Sequence, residues 1–210
     1  FSGSWQPAGL KMLNGNDYTM LMKQAYFNRN QNEAECDIPE FNYDPTFSEY
    51  QQYNNNTDWV KEVSQFGMTH DHSLAVSGGG TKAKFRASLG YYSQTGTVIE
   101  QKMDRLSTRM NLEYQVSDRL KFISDFSMTY TNNHKNYEQS YQGSNIGLLD
   151  NAYRKMPNLS IYRKDINGNP TDTYYNVRGD AQISSEQKEL LNPVAVAHLA
   201  KNLQKNMRII

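Results

Sequence analysis

Between residues 105 and 131 the chain reads RLSTRMNLEYQVSDRLKFISDFSMTYT, and its even positions are nearly all apolar: Leu106, Met110, Leu112, Tyr114, Val116, Leu120, Phe122, Phe126, Met128 and Tyr130. The odd positions are polar or charged, with Ile123 the one large apolar exception. Successive side chains of a strand point to opposite faces, so the pattern predicts two strands, each apolar on one side only. Ser117, Asp118 and Arg119 fit a three-residue turn that would pair Val116 with Leu120, Tyr114 with Phe122 and Met110 with Phe126. A second hairpin is predicted upstream in HSLAVSGGGTKAKFRASLGYY. A two-residue turn at Gly79 and Gly80 would set Val76 against Ala83 and Leu74 against Phe85.

Helical spacing is confined to the rest of the chain. Tyr18, Leu21, Met22 and Ala25 recur at i, i+3, i+4 and i+7, with Asn16 or Asp17 as N-cap, which predicts a short helix over 13–29. TDWVKEVSQFG suggests one or two helical turns stopped by Gly67. Residues 132–201 hold a possible helix (NIGLLDNAYRKM), the turn signal INGNP and the run NPVAVAHLAKNL. This segment reads as too polar for a core and too long for an ordinary connection, which marks a functional loop. NMRII at the end reads as the start of another strand. The expected organisation is a loop-bearing first part (1–66), two hairpins (67–131), a long loop (132–201) and a new strand (202–210).

Alternation alone suits a soluble sandwich as well as a membrane barrel. Length favours the barrel: strands of about 12 residues reach roughly 40 Å, whereas soluble strands average about 5–6 residues and a spanning strand needs about 9–11. Rings favour it too, with Tyr114 and Phe122 flanking one turn and Tyr91, Tyr92 and Tyr130 at the opposite strand ends, as in an aromatic girdle. The fold class expected is all-β, antiparallel strands of part of a transmembrane β-barrel, with long outside loops that contain short helices. In that frame Arg105, Arg109, Asn111, Glu113, Lys121 and Asp125 face a watery lumen. A soluble or surface-attached β-sandwich that binds carbohydrate is the alternative.

Composition supports a folded but polar chain. The hydrophobic fraction is 37% and mean hydropathy is −0.82, yet Tyr (15), Phe (8) and Trp (2) are abundant, which disordered segments lack. Lys plus Arg equals Asp plus Glu at 22 each, with no run of one sign, so nothing points to nucleic acid. The single cysteine, Cys36, has no partner for an internal disulfide and no His or Cys neighbour for a metal. His70 and His72 share one strand face without a third ligand, and GGGTK lacks a phosphate-loop pattern. Glu33 and Glu35 lie in a polar loop, and no GxSxG or HExxH context occurs. No enzyme, metal or cofactor is expected. The aromatic, Asn-rich stretches offer instead Tyr43, Tyr50, Tyr53, Tyr137, Tyr141 and Tyr153 as candidates for stacking on a ligand or packing on a partner.

Several ordered pieces carry a resemblance: NTDW at 56–59, HSLAVSGG, FRASLGYYSQTG, RLSTRMNLEYQVSDRLK, LNGNDYTMLM and LNPVA at 191–195. Together they resemble the SusC/RagA family of TonB-linked outer-membrane transporters. The resemblance implies a bacterial outer-membrane barrel of about 22 strands around a plug, of which this chain would supply roughly the first six after the plug. It also implies import of oligosaccharides or peptides, a SusD-like surface lipoprotein as partner, TonB contact through a plug outside this stretch, and contact with outer-membrane lipid.

Overall fold

The computed structural model describes residues 1–7, 9–32 and 37–210; Glu33, Glu35 and Cys36 lie outside them. The chain forms two compact units: Phe1–Gln6, Gln65–Asn136 and Lys201–Ile210 make one, and Pro7–Ser64 with Tyr137–Ala200 the other.

The first unit is one antiparallel sheet. Its strands are β1 (Ser2–Ser4), β2 (Gly67–Gly79), β3 (Ala83–Thr95), β4 (Lys102–Ser117), β5 (Leu120–Asn136) and, after the second long connection, β10 (Lys201–Ile209), in the order β1-β2-β3-β4-β5-β10. β2 to β5 are 13 to 17 residues long, as the membrane reading requires. β5 runs past residue 131 to Asn136 and β10 begins at Lys201, so the connection between them is 137–200.

Both hairpin turns differ locally from expectation. In the first, Gly79 pairs with Lys84, Val76 with Ala87 and Leu74 with Leu89, and the amide of Gly80 donates to the Ala83 carbonyl at 2.7 Å. The tight turn is therefore centred on Thr81 and Lys82. This slides the register by an even number of residues, so apolar side chains still meet apolar ones. In the second, Met110 pairs with Phe126 and Tyr114 with Phe122 as expected, but Ser117 pairs with Leu120. Val116 is left as the extra residue of a bulge, and the turn shrinks to Asp118 and Arg119.

The second unit is built from the two long connections. Residues 7–64 contribute α1 (Gly15–Asn30), α2 (Tyr50–Tyr53) and α3 (Trp59–Glu62). The N-cap of α1 is Asn14, whose side chain accepts from the Asp17 amide at 2.8 Å; Asn16 and Asp17 are already helical. Residues 137–200 contribute two small hairpins, β6 (Gln139–Tyr141) with β7 (Ser144–Ile146) and β8 (Tyr162–Lys164) with β9 (Pro170–Tyr174). They also contribute α4 (Leu148–Arg154), α5 (Ser185–Glu189) and α6 (Pro193–Leu199).

This unit has a core that hydropathy concealed. Phe41, Trp59, Val63, Met156, Leu159, Leu190 and Val194 to Ala197 are buried, and among them sit Asn151, Asn158, Asn192, Gln187 and Lys155. The polar members tie irregular backbone together. Asn192, fully buried, donates to the carbonyls of Ile161 (2.7 Å) and Tyr175 (3.0 Å), while its oxygen caps α6 by accepting from the amides of Val194 and Ala195. Gln187 donates to the Arg154 carbonyl and accepts from the Met156 amide. The Trp59 indole donates to the Met156 carbonyl at 2.8 Å. The Tyr53 hydroxyl accepts from that of Tyr175 at 3.3 Å, and burial pushes Tyr53 up to about 12 and Tyr175 higher still. An Asn-rich segment can thus form a core wherever its carboxamides replace regular backbone hydrogen bonds.

Asn192→Ala leaves two buried carbonyls without donors and strips the helix cap, so it destabilises this unit by about 3 kcal/mol or more. Asn192→Asp, which keeps the cap but not the donors, should recover part of that loss in chemical denaturation. The Lys155 ammonium donates to the carbonyls of Gln187 and Leu190, and burial pulls its pKa down to about 7. From there to the ordinary value of 10.5 the unfolded chain holds a proton that the folded one lacks, so stability rises with pH across that window. Thermal melts of the receptor that carries this chain, at about pH 7 and about pH 9, should show the rise, and Lys155→Met should abolish it.

Candidate functional site

The sheet separates two chemistries by strand parity. On one face the registers align Lys84 with Glu113 and Ile123, Arg86 with Asn111 and Asp125, Ser88 with Arg109 and Ser127, and Tyr92 with Arg105 and Thr131. All six side chains expected on the watery side, Arg105, Arg109, Asn111, Glu113, Lys121 and Asp125, share this face. Diagonal neighbours pair across strands: Lys121 with Glu113 at 2.9 Å and Arg109 with Asp125 at 3.4 Å, while the Arg105 guanidinium lies 5.1 Å from the Tyr92 ring centre. These pairs are exposed, so solvent screens them and they contribute little to stability. Their consequence is a face of mixed sign.

Sequence reasoning missed Lys84, Arg86 and Tyr92 on β3 and Gln204, Asn206 and Arg208 on β10, which extend the same face. Their signal was present, since the even positions of KAKFRASLGYY and of KNLQKNMRI are polar wherever the odd ones are apolar at Phe85, Leu89, Leu203 and Met207. Ile123, 62% exposed opposite Glu113, stays the exception on this face.

The other face is apolar in successive rows that cross the sheet. His72, Tyr91, Leu106, Tyr130 and Met207 form one row; Leu74, Leu89, Thr108, Met128 and Ile209 the next. Val76, Ala87, Met110 and Phe126 follow, then Gly78, Phe85, Leu112 and Ser124, and finally Ala83, Tyr114 and Phe122. From the first row to the last is about 27 Å along a strand, which a barrel tilt of roughly 40° shortens to about 21 Å along the membrane normal, a span that fits within the ~25 Å apolar band of an outer-membrane wall. Rings stand at both margins: Tyr91 and Tyr130 at one, Phe85, Tyr114 and Phe122 at the other. Leu74, Val76, Met110 and Phe122 are each more than half exposed. No second sheet covers this face among the described residues of the unit, so the two-layer core of a soluble sandwich is missing.

Within the second unit the six candidate tyrosines separate by burial. Tyr53 and Tyr141 are core residues at 4% and 9% exposure, where the ring packs against its neighbours. Tyr50 and Tyr153 are half-buried, and the Tyr50 hydroxyl accepts from Asn54 at 2.8 Å. Tyr137 is exposed. Tyr43, at φ 52°, sets its hydroxyl 3.0 Å from the Asn16 side-chain oxygen and 3.2 Å from the Thr19 hydroxyl. It closes one end of a groove of about 490 Å³ that Asn16, Thr19, Met20, Lys23, Gln24 and Phe27 of α1 also line. A second aromatic platform went unforeseen: Tyr162 and Tyr174 stack at 5.1 Å across the β8–β9 hairpin, and the Tyr174 hydroxyl bonds His198 at 2.9 Å. It was hidden because the two rings are separated in sequence by the INGNP turn.

Among the described residues there is no group of three His, Cys, Asp or Glu able to hold a metal. No described helix is long and apolar enough to cross a membrane, which leaves strands untouched by that test.

Comparison with known proteins gives a consistent set of relatives. TonB-dependent receptor P3 of Formosa agariphila is 30% identical over 165 residues, 77% of this chain and 15% of that receptor. TonB-dependent receptor SusC of Bacteroides thetaiotaomicron is 32% identical over 68 residues, 32% of this chain and 7% of the receptor. The solved RagAB peptide transporter matches with a TM-score of 0.52 at 25% identity, over 81% of this chain and 20% of that one. The RagAB peptide importer in its closed-closed state shares the fold at a TM-score of 0.54 and 23% identity, again over 81% and 20%. No family model matches. The chain spans about 15% of the length of the first of these receptors, and these relatives are receptors and transporters, not enzymes.

Proposed function

We propose that this chain, which is of the SusC/RagA type of TonB-dependent receptor in the bacterial outer membrane, forms part of the wall and the outside loops of an active importer. The apolar face meets lipid, and the polar face borders the path of the solute. The observation that carries this reading is the parity of the sheet: one face offers a predominantly apolar band with rings at both margins, the other a mixed-sign polar surface. A bilayer tolerates the second only where water reaches it, because an Arg at mid-membrane on the lipid side costs about 2–4 kcal/mol.

The solutes are oligosaccharides or peptides. Mixed charge suits peptides, since Arg105, Arg109, Glu113 and Asp125 present both signs to a zwitterionic chain. Rings of the loop unit suit sugar or peptide stacking, with Tyr137 exposed and Tyr43 half-buried beside the α1 groove. A SusD-like lipoprotein docks on the loop unit, and energy arrives through TonB by way of a plug that belongs to the whole receptor. The wall itself performs no bond chemistry.

Single cysteines test the assignment of faces in the receptor that carries this chain. Cysteines at Leu112 and Phe126 should be shielded from small hydrophilic maleimides in intact outer membrane, and cysteines at Asn111 and Asp125 should react. Equal labelling of the two sets would overturn the wall reading.

A further inference from the structure

The apolar face changes character at the end where β3 passes to β4 and from which both long connections leave. Beyond the row of His72, Tyr91, Leu106, Tyr130 and Met207 come His70, Ser93, Asp104, Asn132 and Lys205, then Lys102 beside His134, then Asn136 beside Lys201. Three of the chain's four histidines and three lysines stand here with one carboxylate, Asp104. Lys102 is held by Asp104 at 3.0 Å. Lys201 and Lys205, both exposed, have no ion pair among the described residues. At the opposite, turn end the same face ends on Ala83, Tyr114 and Phe122, without charge.

We infer that Lys201, Lys205 and His134, with Lys102 alongside, bind a phosphate-bearing headgroup of an outer-leaflet glycolipid. The inference rests on the wall reading and adds a specific ligand to it. Lysines just beyond a ring row reach headgroup depth, where phosphate is the anionic group within range. Two unpaired ammonium groups supply the charge and donate to the phosphate oxygens. A lipid-borne phosphate fits better than a free one, because Met207 and Ile209 continue down the same strand from Lys205 and offer a surface for acyl chains beneath the headgroup.

The test uses the receptor that carries this chain, placed in phosphatidylcholine nanodiscs doped with monophosphoryl lipid A or with its dephosphorylated form, and native mass spectrometry to count retained glycolipid. The wild type should retain the phosphorylated form in preference. Lys102→Gln/Lys201→Gln/Lys205→Gln should weaken that retention by about fivefold per lysine and roughly a hundredfold together. Lys135→Gln/Arg208→Gln, on the polar face of the same strands, should leave it unchanged. Equal retention of the two glycolipids, an unaffected triple variant or an equal loss in the polar-face variant would overturn the site. Full displacement by inorganic phosphate would overturn the glycolipid as its occupant. Entry into the discs scores the wall reading separately: entry without headgroup discrimination removes only this site, and no entry removes both.

Discussion

A slip of one residue between any two of these strands would carry every apolar side chain of the slipped strand to the polar face, and every charge to the apolar one. That penalty makes parity the constraint on which the sheet depends. Backbone hydrogen bonds are indifferent to it, since either register closes a ladder. Side chains are not, because the two faces meet different solvents. The molecule can therefore relax turns, as at Thr81–Lys82 and at the Val116 bulge, provided that the long paired stretches keep the two faces apart.

The same constraint explains what could be read from the sequence. Which residues share a face was legible for β2 to β5, because period-two alternation fixes it without knowledge of the turn. The register of the first hairpin was not legible: GGGTK offers several turns that preserve parity, and the pairing of Gly80 with Ala83 decides among them. The second hairpin was legible except at its tip, where a two-residue turn at Asp118 and Arg119 displaces Val116. The polar face was recognised on β4 and β5 and not carried over to β3 and β10, although the same alternation is present there.

The second unit was the least legible part. Its burial rests on Asn151, Asn158, Asn192, Gln187 and Lys155, which any hydropathy reading counts as surface. Their worth lies in contacts with residues far off in sequence, such as Asn192 with Ile161 and Tyr175. Likewise Tyr53 and Tyr141, attractive as ligand contacts in a list of aromatic residues, turn out to hold the core. Burial sorts such rings, and burial is a property of the fold.

Each long connection begins and ends on strand neighbours: Ser4 lies opposite Gly67, and Asn136 opposite Lys201. The sheet thus clamps both stems of each insert with paired backbone, independently of what the insert contains. Loop entropy grows only slowly with length once its ends are fixed. The sheet is a socket of constant gauge, whose registers do not depend on the length or composition of the insert it holds.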